Sequence, residues 1–194
     1  MTRSFCWKGT LACVALTFFT GCLSTPPAAV PQDEKLRARN NAASLLHTLL
    51  GDEKNVGKLL IIKRDREELH RVIKHVASVC DEAHKRLAQW AREDSSLNLR
   101  DTALPAAERA ARDSASKAKS SELLRASGDE FEFNLLLTQV EALGYAVHLA
   151  QVAGANEPQP QRAREFFAIR DQMQQLRDEV LALLKSQRSP PVKK

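Results

Sequence analysis

The sequence predicts an all-α protein, an up-down helical bundle of four to five helices that follows an N-terminal targeting segment. Three observations lead to this fold class. Long stretches carry apolar residues at alternating steps of three and four, which is the period of an amphipathic helix. No stretch alternates apolar and polar residues with a period of two, so we expect no strands. Glycine and proline cluster between the periodic stretches, where helices are expected to begin and end.

The first 22 residues have the layout of an export signal. Arg3 and Lys8 precede an apolar stretch at residues 9–20, which is shorter than the roughly 20 residues that span a bilayer. The stretch ends at the small residue Thr20, and Gly21 and Cys22 follow it. The order resembles a bacterial lipoprotein signal peptide, which implies cleavage after residue 21, a diacylglyceryl group on the Cys22 sulfur and fatty acid such as palmitate. A secretory peptide cut near residues 28–29 and an uncut anchor are the alternatives.

The residues around the processed cysteine also imply a location. Leu23, and not an aspartate, follows Cys22. In lipoproteins of bacteria with two membranes, this resemblance implies sorting to the outer membrane, with the domain facing the periplasm. Cys6 and Cys13 would leave with the signal, so only Cys80 remains as a thiol. One thiol forms no internal disulfide, and the core must hold the domain together.

Composition divides the chain into four parts. Residues 1–21 are the signal peptide, residues 22–32 are an acylated cysteine with a proline-rich tether, residues 33–187 are the bundle and residues 188–194 are a disordered tail. The formal net charge of +5 includes Arg3 and Lys8, so only +3 remains after cleavage. This small excess is spread along the chain, and we expect no nucleic-acid partner.

Within the bundle we expect helices at residues 33–50, 52–63, 66–93, 105–126, 129–152 and 161–186. Gly51 is expected to interrupt or kink the first hairpin arm, and Asp65 with Glu68 has the spacing of a capping box. Three helices carry long apolar seams, which predict antiparallel packing. The seams are Leu69, Val72, Val76, Cys80, Ala83, Leu87 and Trp90; Phe133, Leu136, Val140, Leu143, Val147 and Ala150; and Phe166, Ile169, Met173, Leu176, Val180 and Leu183.

Five short motifs lie along residues 40–184: Glu53-x-x-Val56-Gly57-Lys58-Leu59, Leu87-Ala88-Gln89-Trp90-Ala91, Ala103-Leu104-Pro105, Ser127-Gly128-Asp129-Glu130-Phe131-Glu132 and Phe167-Ala168. They are similar to motifs of a bacterial family of secreted, ferritin-like helical proteins of unassigned function. The resemblance implies a ferritin-like bundle. The family usually places histidines inside the bundle, at positions that correspond here to Cys80, Leu143 and Asp178. None of these is histidine, so the resemblance implies that a family metal site is lost or rebuilt.

One motif has the spacing of a metal ligand pair. Glu67 and His70 form Glu-x-x-His, which puts a carboxylate and an imidazole on one helix face, as di-iron bundles require. Asp81 and His84 repeat the spacing, but about 21 Å further along the same helix. An alternative hypothesis is therefore an iron or zinc site built from Glu53, Glu67, His70 and Glu141. A capped helix start with exposed charges is the simpler interpretation.

Two further sets of residues admit a chemical and a plain interpretation. Cys80 and His84, four residues apart, could form half of a soft-metal site, but a buried thiol beside a boundary histidine is the favoured interpretation. Glu141 and His148 flank the seam of the 129–152 helix and are read as boundary residues. If Glu141 lay inside the bundle it would need a partner, such as Tyr145 or His148.

No phosphate loop, nucleophile elbow or His-Glu-x-x-His motif marks a catalytic centre, and we assign no cofactor beyond the lipid. The sequence therefore favours a non-enzymatic envelope protein that acts by protein contact, anchored to the membrane by its lipid. A metal-dependent ferritin-like bundle is the alternative, and an immunity or chaperone-like module that masks a partner is a third hypothesis. The charged last helix is interpreted as a solvated face or as one side of a partner groove.

Overall fold

A computed structural model describes residues 31–61, 66–100 and 102–188. The helices are α1 (Gln32–Glu53), α2 (Glu67–Glu93), α3 (Ala106–Arg125), α4 (Gly128–Ala155) and α5 (Pro160–Arg188), and a 3₁₀ helix (Val56–Ile61) follows α1. These ranges contain no strand, which confirms the predicted all-α bundle. The signal peptide, Cys22 and the tail beyond residue 188 lie outside the described residues. None of the helices in the described ranges is both long and apolar enough to cross a bilayer.

Four helices form a closed ring in which α1 and α5 each pack against both α2 and α4. Arg39 lies opposite Glu157 and Glu53 lies opposite Gln139, so α1 and α4 are antiparallel. The other neighbouring helices are antiparallel too. Between α1 and α2, His47 lies near His84 and Lys54 near Asp81; between α2 and α5, His75 lies near Glu179 and Trp90 near Phe166. Between α4 and α5, Gly144 lies near Arg177 and Gly154 near Phe167. It follows that α2 and α4 run parallel. Helix α3, which lies between them in the sequence, carries the chain back along the outside of the bundle.

The predicted seams of α2 and α5 are confirmed, because all of their residues are buried. The predicted seam of α4 is only partly right. Leu136, Leu143 and Ala150 are buried, but Phe133 and Val140 are half-buried, and the face that fills the core includes Phe131 and other residues. The reason is that α4 contacts α1, α5 and α3, so its apolar residues cover a wide arc rather than one stripe.

The end of α1 differs from the prediction. Gly51 lies inside α1 and does not interrupt it; a Cβ at this position would lie 3.3 Å from His84 Nε2, so the glycine permits close approach of α2. The chain beyond Glu53 winds as a 3₁₀ helix rather than as the predicted α-helix, because Asn55 and Gly57 are poor α-helix formers. Asp65, the predicted cap, lies outside the described residues.

Candidate functional site

Helix α3 is almost entirely exposed. Leu123 is its one buried residue, and the other residues of the helix face solvent. Arg112 donates a 2.8 Å hydrogen bond from Nη1 to the Tyr145 hydroxyl, and its guanidinium carbon lies 5.3 Å from the centre of that ring. Lys119 forms an ion pair with Glu141. Arg112 and Lys119 therefore join α3 to the outside of α4, and Leu123 is the side chain of this helix that is buried.

The exposed large apolar side chains of the described residues lie on the same pair of helices. They are Leu124 on α3, 54% exposed, and Leu137 and Val152 on α4, 39% and 44% exposed. Leu137, Glu141, Tyr145 and Val152 are spaced three to four residues or multiples of that apart, so they share one face of α4. We call this surface, formed by α3 and the outer face of α4, the α3–α4 face.

A charged network closes one end of the bundle. Arg162 on α5 makes a bidentate pair with Glu157, with Nε–Oε2 and Nη2–Oε1 distances of 2.7 and 2.9 Å, and also contacts Asp94 at 2.5 Å. Arg39 on α1 is fully buried, lies 3.5 Å from the same Glu157 carboxylate, and donates to the Ser96 carbonyl oxygen. Three segments that are distant in sequence, around Arg39, Asp94 and residues 157–162, are therefore joined by this network, which we call the arginine clamp.

The arginine clamp keeps the Asp94 carboxylate charged. Hydrogen bonds from Ser96 and Arg162 lower the pKa of Asp94 to about 2, although partial burial opposes the shift. Burial lowers the pKa of Arg39, and the charge of Glu157 opposes this effect. Sequence analysis did not identify this cluster. Arg39 lies 118 residues from Glu157 and Arg162 lies 68 residues from Asp94, and no local pattern indicates such distant partners.

An interior polar cluster lies between α1, α2 and α4. Gln139 is buried and donates a 2.8 Å hydrogen bond from Nε2 to Glu53 Oε2, whereas its own Oε1 has no partner among the described residues. Burial raises the pKa of Glu53 to about 7, against the opposing effect of the Gln139 hydrogen bond. Burial, with the charge of Glu53 as a second cause, raises the pKa of the Cys80 thiol to about 12. The prediction of a buried thiol at Cys80 is confirmed.

Two histidines stack beside this cluster. The rings of His47 on α1 and His84 on α2 have centroids 4.1 Å apart and planes inclined by 17°. Lys54 Nζ lies 3.3 Å from His84 Nδ1. The structure therefore directs His84 toward His47 and Lys54. His47 was not singled out from the sequence, because a lone histidine in a helix gives no signal of a partner 37 residues away.

The residues of the metal hypothesis lie on different surfaces. Glu67 is exposed in the first turn of α2 and His70 is half-buried one turn later. Glu141 is exposed on the outside of α4 and pairs with Lys119, while Glu53 points to Gln139 in the interior. Within the ranges that the structure describes, no three histidine, cysteine, aspartate or glutamate side chains are grouped so that they could hold a metal ion.

Comparison with known proteins gives no relative. No protein-family model, no curated protein and no solved structure matches this chain.

Proposed function

We propose that this chain is a lipid-anchored protein of the cell envelope whose helical bundle acts by binding another protein, without catalysis, through the α3–α4 face. The N-terminal sequence supports the anchor, on Cys22, and a position on the outer membrane facing the periplasm. The α3–α4 face supports the binding role.

The exposure of α3 is the observation that carries the binding role. In proteins, most of the stability of a helix comes from packing an apolar face against the rest of the fold rather than from its intrinsic propensity. Helix α3 buries only Leu123. Its exposed Leu124, together with Leu137 and Val152 on α4, adds apolar surface next to it. A second protein that packs on this face would bury these side chains and stabilise α3.

Site-specific crosslinking tests the binding role. A photo-crosslinking amino acid at the exposed Ser120, one turn before Leu124 on α3, is expected to give a discrete adduct in intact envelopes, and the same group at the exposed Arg86 of α2 serves as the control. The adduct must weaken in the double variant Leu124→Ser/Leu137→Ser. Equal adducts at the two positions, or an adduct indifferent to the double variant, would contradict binding through this face.

Labelling with a palmitate analogue tests the anchor separately. The label is expected on the full chain and on Cys80→Ser, whose thiol is buried in the core, and it is expected to vanish in Cys22→Ser. Label that persists in Cys22→Ser would refute the lipid anchor, while leaving the binding role of the α3–α4 face intact.

The metal-dependent bundle stays an alternative because of its connectivity. Two antiparallel hairpins, α1–α2 and α4–α5, are joined by one crossover that runs the length of the bundle, as in ferritin-like proteins. Elemental analysis of the untagged protein separates the two proposals. Stoichiometric iron or zinc that is lost in His70→Ala would support the metal hypothesis and overturn the non-enzymatic proposal.

A further inference from the structure

The stacked histidines form a contact between two helices that depends on both rings being neutral. The His47 and His84 rings are 4.1 Å apart, and a positive charge, Lys54 Nζ, already lies 3.3 Å from His84 Nδ1. His47 Nε2 is buried and has no hydrogen-bond partner in the described part of the chain. A neutral imidazole tolerates this as a bare acceptor, but a protonated ring would place an unpaired, charged N–H donor in the interior.

We propose that the His47–His84 pair is an acid-sensitive latch, which holds the C-terminal half of α1 against α2 while both rings are neutral and releases it when they gain protons. The pair joins the two helices where Gly51 allows them to approach closely. Two imidazolium ions in this position would repel each other and Lys54, and among the described residues neither is compensated by a buried carboxylate.

The charges around the pair favour the neutral rings. Burial lowers the pKa of both histidines, and Lys54 lowers both further. On α2, Asp81 raises the pKa of His84 and Lys85 lowers it, but Asp81 is engaged with Lys85 at 2.5 Å. On α1, Asp52 is exposed to solvent.

The remaining titratable groups nearby offer the pair no anionic partner within the described ranges. On α4, which packs on another side of α1, Glu141 and His148 lie on exposed positions. Glu53 and Cys80 belong to the neighbouring interior cluster, where Glu53 accepts from Gln139.

The two halves of α1 are held by different chemistry, which makes the release local. The N-terminal half is fixed by the arginine clamp through Arg39, and the pKa of Asp94 in that clamp is about 2, so it stays charged in mild acid. The C-terminal half packs through the buried Leu46 and Leu50, and its polar contacts include the histidine stack and the Glu53–Gln139 hydrogen bond. Acidification below pH 6.5 should therefore loosen the second half and leave the first half closed.

The direction of the pH dependence follows from proton linkage. The folded-state pKa of each histidine is below its ordinary value of 6.5, so the latch contributes fully above pH 6.5 and is lost as the pH falls through the lowered values. Glu53 acts in the opposite direction, because its pKa is raised to about 7 and it takes up its proton in the folded state. The latch is therefore measured in a chain that carries Glu53→Gln, which removes this opposing proton.

Hydrogen exchange of the full chain, purified in detergent with a chelator present, tests the latch. In the Glu53→Gln chain, the opening constant for residues 45–54 should rise below pH 6.5 by up to about a hundredfold per pH unit, because two protons are taken up. Adding His47→Gln should limit the rise to about tenfold, while adding His148→Gln should leave it unchanged. Residues 32–42 should keep their protection throughout.

Two results would overturn the latch. One is an opening constant for residues 45–54 that does not change between pH 7.5 and 5 in the Glu53→Gln chain, or that rises equally with and without His47. The other comes from NMR titration of the histidine rings in the unmodified chain, which needs no variant to fold. Ring signals of His47 and His84 that titrate at or above pH 6.5 would show that the pair does not resist protonation.

Discussion

Glu53 provides the sharpest test of the interior chemistry, through the substitution Glu53→Gln. The carboxylate has a pKa of about 7 in the folded chain against an ordinary value of 4.5. Its contribution to stability is complete below pH 4.5 and is lost as the pH rises through 7. Above both values, the ionised group lowers the free energy of unfolding by about 3 kcal/mol relative to a neutral one, at about 1.4 kcal/mol per tenfold change in acidity constant.

The substitution also repairs an unpaired atom. Gln139 already donates from Nε2 to Glu53 Oε2 at 2.8 Å, while Gln139 Oε1 has no partner among the described residues. A glutamine at position 53 would keep the acceptor and supply an N–H donor for Gln139 Oε1, as a protonated Glu53 does with its O–H. The variant therefore imitates the neutral form of Glu53 at every pH.

Urea unfolding, followed by circular dichroism, measures the outcome. We expect Glu53→Gln and the unmodified chain to have nearly equal free energies of unfolding at pH 4, and the variant to be more stable by about 3 kcal/mol at pH 9. Glu141→Gln, which alters an exposed ion pair, should change stability by less than about 0.5 kcal/mol at both pH values. A variant that is no more stable than the unmodified chain at pH 9 would refute the reasoning about a neutral Glu53.

Three further predictions concern packing, the arginine clamp and the thiol. Gly154→Ala should destabilise the bundle by about 1–3 kcal/mol in urea unfolding, because its Cβ would lie 2.7 Å from Phe167 Cε1; Gly144→Ala, which meets only a flexible arginine side chain, should not. Arg39→Ala should cost about 3 kcal/mol, since it removes a fully buried partner of a buried carboxylate; a loss below about 1 kcal/mol would contradict the role of the clamp. Cys80 should react with a thiol reagent at pH 8 only after unfolding, because its pKa is raised to about 12; rapid reaction of the native chain would contradict its burial.

The parts of the fold that sequence analysis predicted correctly are those in which one helix faces one seam. Helices α2 and α5 carry apolar residues at steps of three and four, and these residues are buried as expected. The seam of α4 was predicted only in part, because this helix contacts three others and has a broad apolar face. It also misread Gly51, whose role is set by His84 on another helix rather than by the propensity of its own segment.

The polar contacts of the interior could not be predicted from the sequence, for a different reason. Arg39 and Glu157 are 118 residues apart, and Glu53 and Gln139 are 86 residues apart. A charged residue in a helix is exposed in most proteins, and nothing local distinguishes one that a distant partner will bury. Only the three-dimensional packing shows that these side chains meet.

The division between interior and surface makes the proposed function testable without interference from folding. Helix α3 contributes one buried side chain, so substitutions at its exposed positions remove little from the core. Leu124→Ser, at a position 54% exposed, should change the free energy of unfolding by less than about 0.5 kcal/mol, as measured in urea. If this variant nevertheless weakens the adduct formed from Ser120, the loss reports on contact with a partner. A large loss of stability in Leu124→Ser would instead mean that Leu124 contributes to the core. That result would contradict the proposal that the α3–α4 face is a binding surface.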